Sequence, residues 1–157
     1  MLVLFALSAC DTATSDADAE AAALWDEIQD YASWNQSADW TGVKPSCDGT
    51  HGPYVQVWYD SAGASLVDGT AAEADDGATF VKEAYDDDAT TVKSVSAMQK
   101  QAGFDADHGD WYWAMYSPSG DVSQSGSVSG CYSCHESDAD YVRFLSSAVV
   151  DSLEDCP

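Results

Sequence analysis

Cys131-Tyr132-Ser133-Cys134-His135 brings two thiols and an imidazole together in a C-x-x-C-H pattern. Two thiols three positions apart, on one turn, can both reach the two vinyl groups on one edge of a porphyrin. The next residue then lies under the macrocycle, where its ring nitrogen can ligate iron. In a chain of 157 residues with five Cys and three His, chance gives roughly 0.003 such patterns. One rival is a thioredoxin-like redox pair. Another is half of a zinc site completed by His51, His108 or Cys47. A redox pair normally follows a strand in a βαβ unit, whereas this motif comes after a Ser/Gly loop near the C-terminus. The pattern therefore implies one covalent haem c per chain, with Cys131 and Cys134 as attachment points and His135 on the iron.

Three further cysteines need an account. Cys10 closes Leu7-Ser8-Ala9-Cys10, which looks like a bacterial lipobox, and Leu2 to Leu7 resembles the end of a secretory apolar region. No Lys or Arg precedes that run, so the basic region of a signal is missing. The expected layout is a signal remnant over 1–9, lipidation at Cys10, a polar tether over 10–20, and a haem domain over 21–157. Such a protein is exported, periplasmic or on the outer surface, and lipid-anchored. Export agrees with the haem motif, since c-type haem is attached outside the bacterial cytoplasm. Cys47 and Cys156 either pair as a disulfide, natural in an oxidising compartment, or stay free thiols.

The elements that must position the motif follow from periodicity. Ala21 to Asn35 carries Leu24, Trp25, Ile28, Tyr31 and Ala32 at helical spacing. Strands are expected at 54–59, 78–85, 91–99, 110–117 and 122–125, with an Asp86-Asp87-Asp88 turn and a Pro118-Ser119-Gly120 hairpin turn. Asp138 to Leu153 reads as an amphipathic helix with acids near its start. The fold class is α+β: a mainly antiparallel sheet with flanking N- and C-terminal helices and the haem motif near the C-terminus. The strand content excludes a four-helix haem bundle.

Asp and Glu number 28 against five Lys and Arg, for a formal charge of −23. Such a surface repels phosphate backbones, so nucleic acid is not a partner. A basic redox partner protein remains allowed.

The order of several stretches is similar to that of the cytochrome P-460 family, including the cytochromes c′-beta. These are His51-Gly52-Pro53-Tyr54-Val55 leading to Tyr59-Asp60, Asp76-Gly77-Ala78-Thr79-Phe80-Val81-Lys82-Glu83, Gly109-Asp110-Trp111-Tyr112-Trp113, and Cys131 to His135. Together they span roughly Ala21 to Leu153. The resemblance implies an antiparallel sheet with haem at one side, a homodimer, and a five-coordinate iron with His135 as proximal ligand. In the P-460 enzymes a Lys is also bonded to a haem meso carbon, and Lys82 holds the matching position. Those enzymes oxidise hydroxylamine, whereas the cytochromes c′-beta bind nitric oxide or carbon monoxide beside an unmodified haem.

Alternation puts Phe80 and Lys82 on one strand face, with Thr79, Val81 and Glu83 on the other. Lys82 is then either a haem-linked side chain or a solvated strand lysine, and Phe80 either haem-lining or core. The enzymes place a Glu in the strand before the G-x-W motif; Ser94 to Gln99 holds no acid. Redox chemistry on hydroxylamine or nitric oxide is one reading. A non-enzymatic protein binding nitric oxide or carbon monoxide, or a periplasmic electron carrier, is the alternative, and the missing Glu favours it. Val95, Ala97 and Met98 are candidates for the distal pocket or for core. Met98, Met115, His51 and His108 are candidate sixth ligands. Arg143 is a candidate partner for a haem propionate.

Overall fold

The structure is a computed structural model that describes residues 12–46 and 50–143. Cys10, Cys47 and Cys156, with the lipobox and disulfide expectations, lie outside the described residues, as does most of the expected C-terminal helix. The elements run α1 (Thr12–Glu27), β1 (Lys44–Pro45), β2 (Tyr54–Tyr59), α2 (Ala64–Val67), β3 (Thr79–Tyr85), β4 (Val92–Lys100), β5 (Trp111–Tyr116), β6 (Val122–Gly126) and α3 (Ser129–His135). The six strands form one antiparallel sheet in sequence order. With helices before and after it, the α+β expectation holds. The five longer strands fall within about a residue of their expected places.

Each face of the sheet has its own cover. Ala21, Leu24 and Ile28 make a helical stripe that packs on Val81, Val95, Ala97, Tyr112, Ala114 and Tyr116. The other face carries Val57, Tyr59, Phe80, Met98, Trp111 and Trp113, covered in part by Leu66 of α2 and by Val142. Gly63, just before α2, is required there: a Cβ on it would stand 2.9 Å from the Phe80 ring.

Three local expectations change. The stretch read as a polar tether is helical from Thr12, and its Ala17 carbonyl accepts the Tyr112 hydroxyl at 2.6 Å. Its alanines favour the helix. The same helix stops at Glu27 instead of reaching Asn35, because Asn35 pairs with Tyr59 at the edge of the sheet. Tyr31 sits in a separate 3-10 turn and donates its hydroxyl to Glu83. Finally, no α-helix begins at Asp138. Ala139–Tyr141 is a 3-10 turn, with Asp140 and Tyr141 at φ 45° and 63°. Among the described residues no helix is long and apolar enough to cross a membrane.

Candidate functional site

Register fixes what faces α3. Val57, Lys82, Ser96 and Met115 form one cross-strand row, and Tyr59, Phe80, Met98 and Trp113 form the next. Between these rows and α3 lies a hollow of about 490 Å³ bordered by Val57, Phe80, Lys82, Met98, Trp113, Cys131 and His135, among others. It adjoins a wider mouth of about 780 Å³ that also borders Thr50, Gln124 and Cys134. His51, Lys82, Met115, Cys131, His135 and Arg143 border both.

The motif folds as one short helix, so Cys131, Cys134 and His135 project at i, i+3 and i+4 from the same side. Both cysteines are free thiols, Cys134 exposed and Cys131 half-buried, and burial pushes the Cys131 thiol up. His135 is buried, and its Nδ1 meets the Tyr141 carbonyl at 2.8 Å. A carbonyl can only accept, so Nδ1 carries the hydrogen and Nε2 keeps its lone pair. Burial, with the Lys82 charge second, pulls the imidazole down to about 4, so it is neutral and able to ligate at neutral pH.

A strap holds that carbonyl in place. The Asp140 carboxylate accepts from the Ala74 amide at 2.8 Å, from Lys100 Nζ at 2.6 Å and from Trp111 Nε1 at 3.3 Å. Gly109, at φ 71°, makes room for the Tyr141 ring, which would stand 2.9 Å from a Cβ there. Arg143 braces the same turn, donating from Nε to Asp138 and from Nη2 to the Cys134 carbonyl, each at 2.9 Å.

The sequence model of one family, described as cytochrome P-460, matches residues 28–143. The chain belongs to the cytochrome P-460 family. It is accordingly a c-type haem protein, and iron comes with the haem. Comparison with individually curated proteins finds no match.

The cytochrome P-460 assignment calls for a haem, and the residues present fit one. Trp113 Nε1 is buried without a hydrogen-bond partner, 5.0 Å from ring centre to ring centre with His135, and so has a donor to offer. Two of the five cationic side chains in this acidic chain, Lys82 and Arg143, border the hollow, which suits a group bearing two propionates. Among the described residues there is no cluster of three or more His, Cys, Asp or Glu that could hold a bare metal ion.

Phe80 and Lys82 share the face toward the hollow, as alternation requires. Glu83 points the other way, where the Tyr31 and Tyr85 hydroxyls donate to it. Met98 and Met115 border the hollow. Val95 and the Ala97 side chain pack against α1 instead, because β4 turns its odd-numbered residues to that face. His108 is held by Asp105 at 2.9 Å and stacks on Tyr132 at 3.7 Å, which makes it a support for α3. Asp140 and the Tyr141 carbonyl escaped the sequence reading, since acids before an apolar run signal a helix start. The two positive-φ residues that form the strap carry no compositional mark.

Proposed function

We propose that Cys131 and Cys134 carry the haem as thioethers, that His135 holds its iron, and that the protein binds a small diatomic ligand such as nitric oxide or carbon monoxide. The observation that carries this reading is the wall of the hollow. Val57, Phe80, Met98 and Trp113 are apolar or aromatic, and no Asp or Glu borders the hollow or its mouth among the described residues. A neutral diatomic needs no carboxylate, and the Glu that the similar enzymes use in hydroxylamine oxidation has no counterpart on these linings among the described residues. When bound, the haem supplies an iron position for such a ligand and a one-electron change of charge. The chain's own part is to keep the His135 imidazole neutral, fix its ring through the Tyr141 carbonyl, and exclude water with the Phe80–Met98–Trp113 row.

Hydroxylamine oxidation is the second reading, supported by the position of Lys82. Its charge acts on both Cys131 and His135, and it borders the hollow and the mouth. A bond from Lys82 to the haem edge would change the haem's electronics without any distal acid. Export and lipidation at Cys10 complete the proposal. They rest on Leu7-Ser8-Ala9-Cys10 and on the need to attach c-type haem outside the cytoplasm.

The test is the absorption spectrum of the reduced, haem-loaded protein with and without carbon monoxide, for wild type and Lys82→Met. An ordinary c-type spectrum that shifts with carbon monoxide and survives Lys82→Met is expected. A Soret band far to the red that returns to an ordinary position in Lys82→Met would overturn ligand binding in favour of the oxidase. No response to carbon monoxide would sink the diatomic reading.

A further inference from the structure

The turn that follows α3 is strained, and what holds it lies away from the hollow. Asp140 and Tyr141 adopt φ 45° and 63°, a region that residues with side chains rarely occupy. Such a pair persists only where its surroundings over-determine it. Here the surroundings are donors from three separate places in the chain. The Asp140 side chain is 5% exposed, and its carboxylate takes the Ala74 amide on one oxygen and both Lys100 Nζ and Trp111 Nε1 on the other. Lys100 Nζ also stands 5.0 Å from the centre of the Trp111 ring, as a cation over an aromatic face. Lys100 and Trp111 are partners across β4 and β5, so the anchor is the sheet itself.

None of Asp140, Ala74, Lys100 and Trp111 borders the hollow or its mouth. Asp140 reaches the site through the chain: Tyr141 follows it, and the Tyr141 carbonyl meets His135 Nδ1 at 2.8 Å. The Tyr141 ring is seated against Gly109, where a Cβ would stand 2.9 Å from it. A hydrogen bond donated by one imidazole nitrogen raises the basicity of the other toward a metal. The aim of this carbonyl therefore sets how strongly Nε2 donates.

We propose that Asp140 is a positioning residue: through its ion pair with Lys100 it holds the Tyr141 carbonyl on His135 Nδ1, and so strengthens the bond from His135 to the iron. The inference rests on the reading that His135 holds the haem iron. It goes beyond that reading by assigning the strength of the bond to a carboxylate outside the hollow. A more basic imidazole favours ferric over ferrous iron, so the strap keeps the reduction potential low.

The experiment takes the reduced, haem-loaded protein without added ligand and records the iron–imidazole stretching band by resonance Raman scattering, with the midpoint potential measured beside it. Asp140→Asn leaves one acceptor oxygen where three donors converge. Gly109→Ala crowds the Tyr141 ring and leaves Asp140 untouched. Both are expected to move the band to lower frequency and the potential upward. The Asp140→Asn, Lys100→Met double variant removes both charges of the pair and is expected to keep the lowered band. Ile28→Ala, which weakens the fold from the α1 face, is expected to move neither. An unchanged band in Asp140→Asn overturns the proposal, and Gly109→Ala decides in the same way where Asp140→Asn folds poorly. A potential that rises in Asp140→Asn with the band unmoved, and returns in the double variant, also overturns it, since Asp140 would then act by charge alone. So does an equal band shift in Ile28→Ala, which would mean general loosening. A reduced wild type with no iron–imidazole band overturns the reading of His135 along with this one.

Discussion

On the face covered by α1, Tyr112 and Tyr116 donate their hydroxyls to the Ala17 and Ala21 carbonyls at 2.6 and 2.8 Å, and Glu83 accepts from Tyr31 and Tyr85. On the face toward α3, Trp113 Nε1 has no partner, Cys131 and Cys134 are unbridged, and a hollow of about 490 Å³ separates the sheet from the helix. The strands are the same for both faces, and alternation sends successive residues to each in turn. The polypeptide alone, side chains and α1 carbonyls together, completes the first face. The second keeps its donors and thiols for a group that is not polypeptide. A buried donor without an acceptor is costly, so the difference marks where the ligand goes more surely than any single residue does.

Substitutions that strike one face at a time sharpen that contrast. The largest effect is expected from Asp140→Ala. It leaves the Lys100 ammonium without its buried carboxylate, and breaking such a pair costs about 3–5 kcal/mol. It also loosens the turn that presents the Tyr141 carbonyl to His135. Urea unfolding should show the loss, and the haem absorption spectrum should change with it. Next comes Ile28→Ala on the α1 face. Removing that fully buried side chain should cost about 2–5 kcal/mol and leave the haem spectrum unchanged. An altered spectrum would show that the faces are coupled. The smallest is Tyr116→Phe, which deletes one buried hydrogen bond and should cost about 1 kcal/mol by the same unfolding measurement, again without a spectral change.

The parts of the molecule legible in the sequence are those governed by local rules. Apolar and aromatic runs bounded by turn residues located Tyr54–Tyr59, Thr79–Tyr85 and Trp111–Tyr116, and alternation put Phe80 and Lys82 on one face and Glu83 on the other. The C-x-x-C-H motif needs no tertiary context to be recognised. What escaped depends on contacts between distant segments. The two-residue β1 and four-residue α2 are too short to carry a period. The early end of α1 follows from Asn35 pairing with Tyr59. The 3-10 turn in place of a helix at Asp138 follows from Asp140 reaching Ala74, Lys100 and Trp111. Val95 and the Ala97 side chain face α1 and not the hollow, since one residue's difference in a strand is a difference of face. His51 could be named as a candidate ligand from its type alone. Only the fold brings its ring to 6.3 Å from that of His135.

The central claim is that the face toward α3 is completed by a haem bonded to Cys131 and Cys134. The most direct measurement is the intact mass of the denatured protein, made in a host with c-type haem maturation, for wild type and for the Cys131→Ser, Cys134→Ser double variant. The account predicts that wild type retains the mass of one haem through denaturation and acid–acetone extraction, and that the double variant retains none. A wild-type chain of bare polypeptide mass, or a haem that extraction removes, would contradict it.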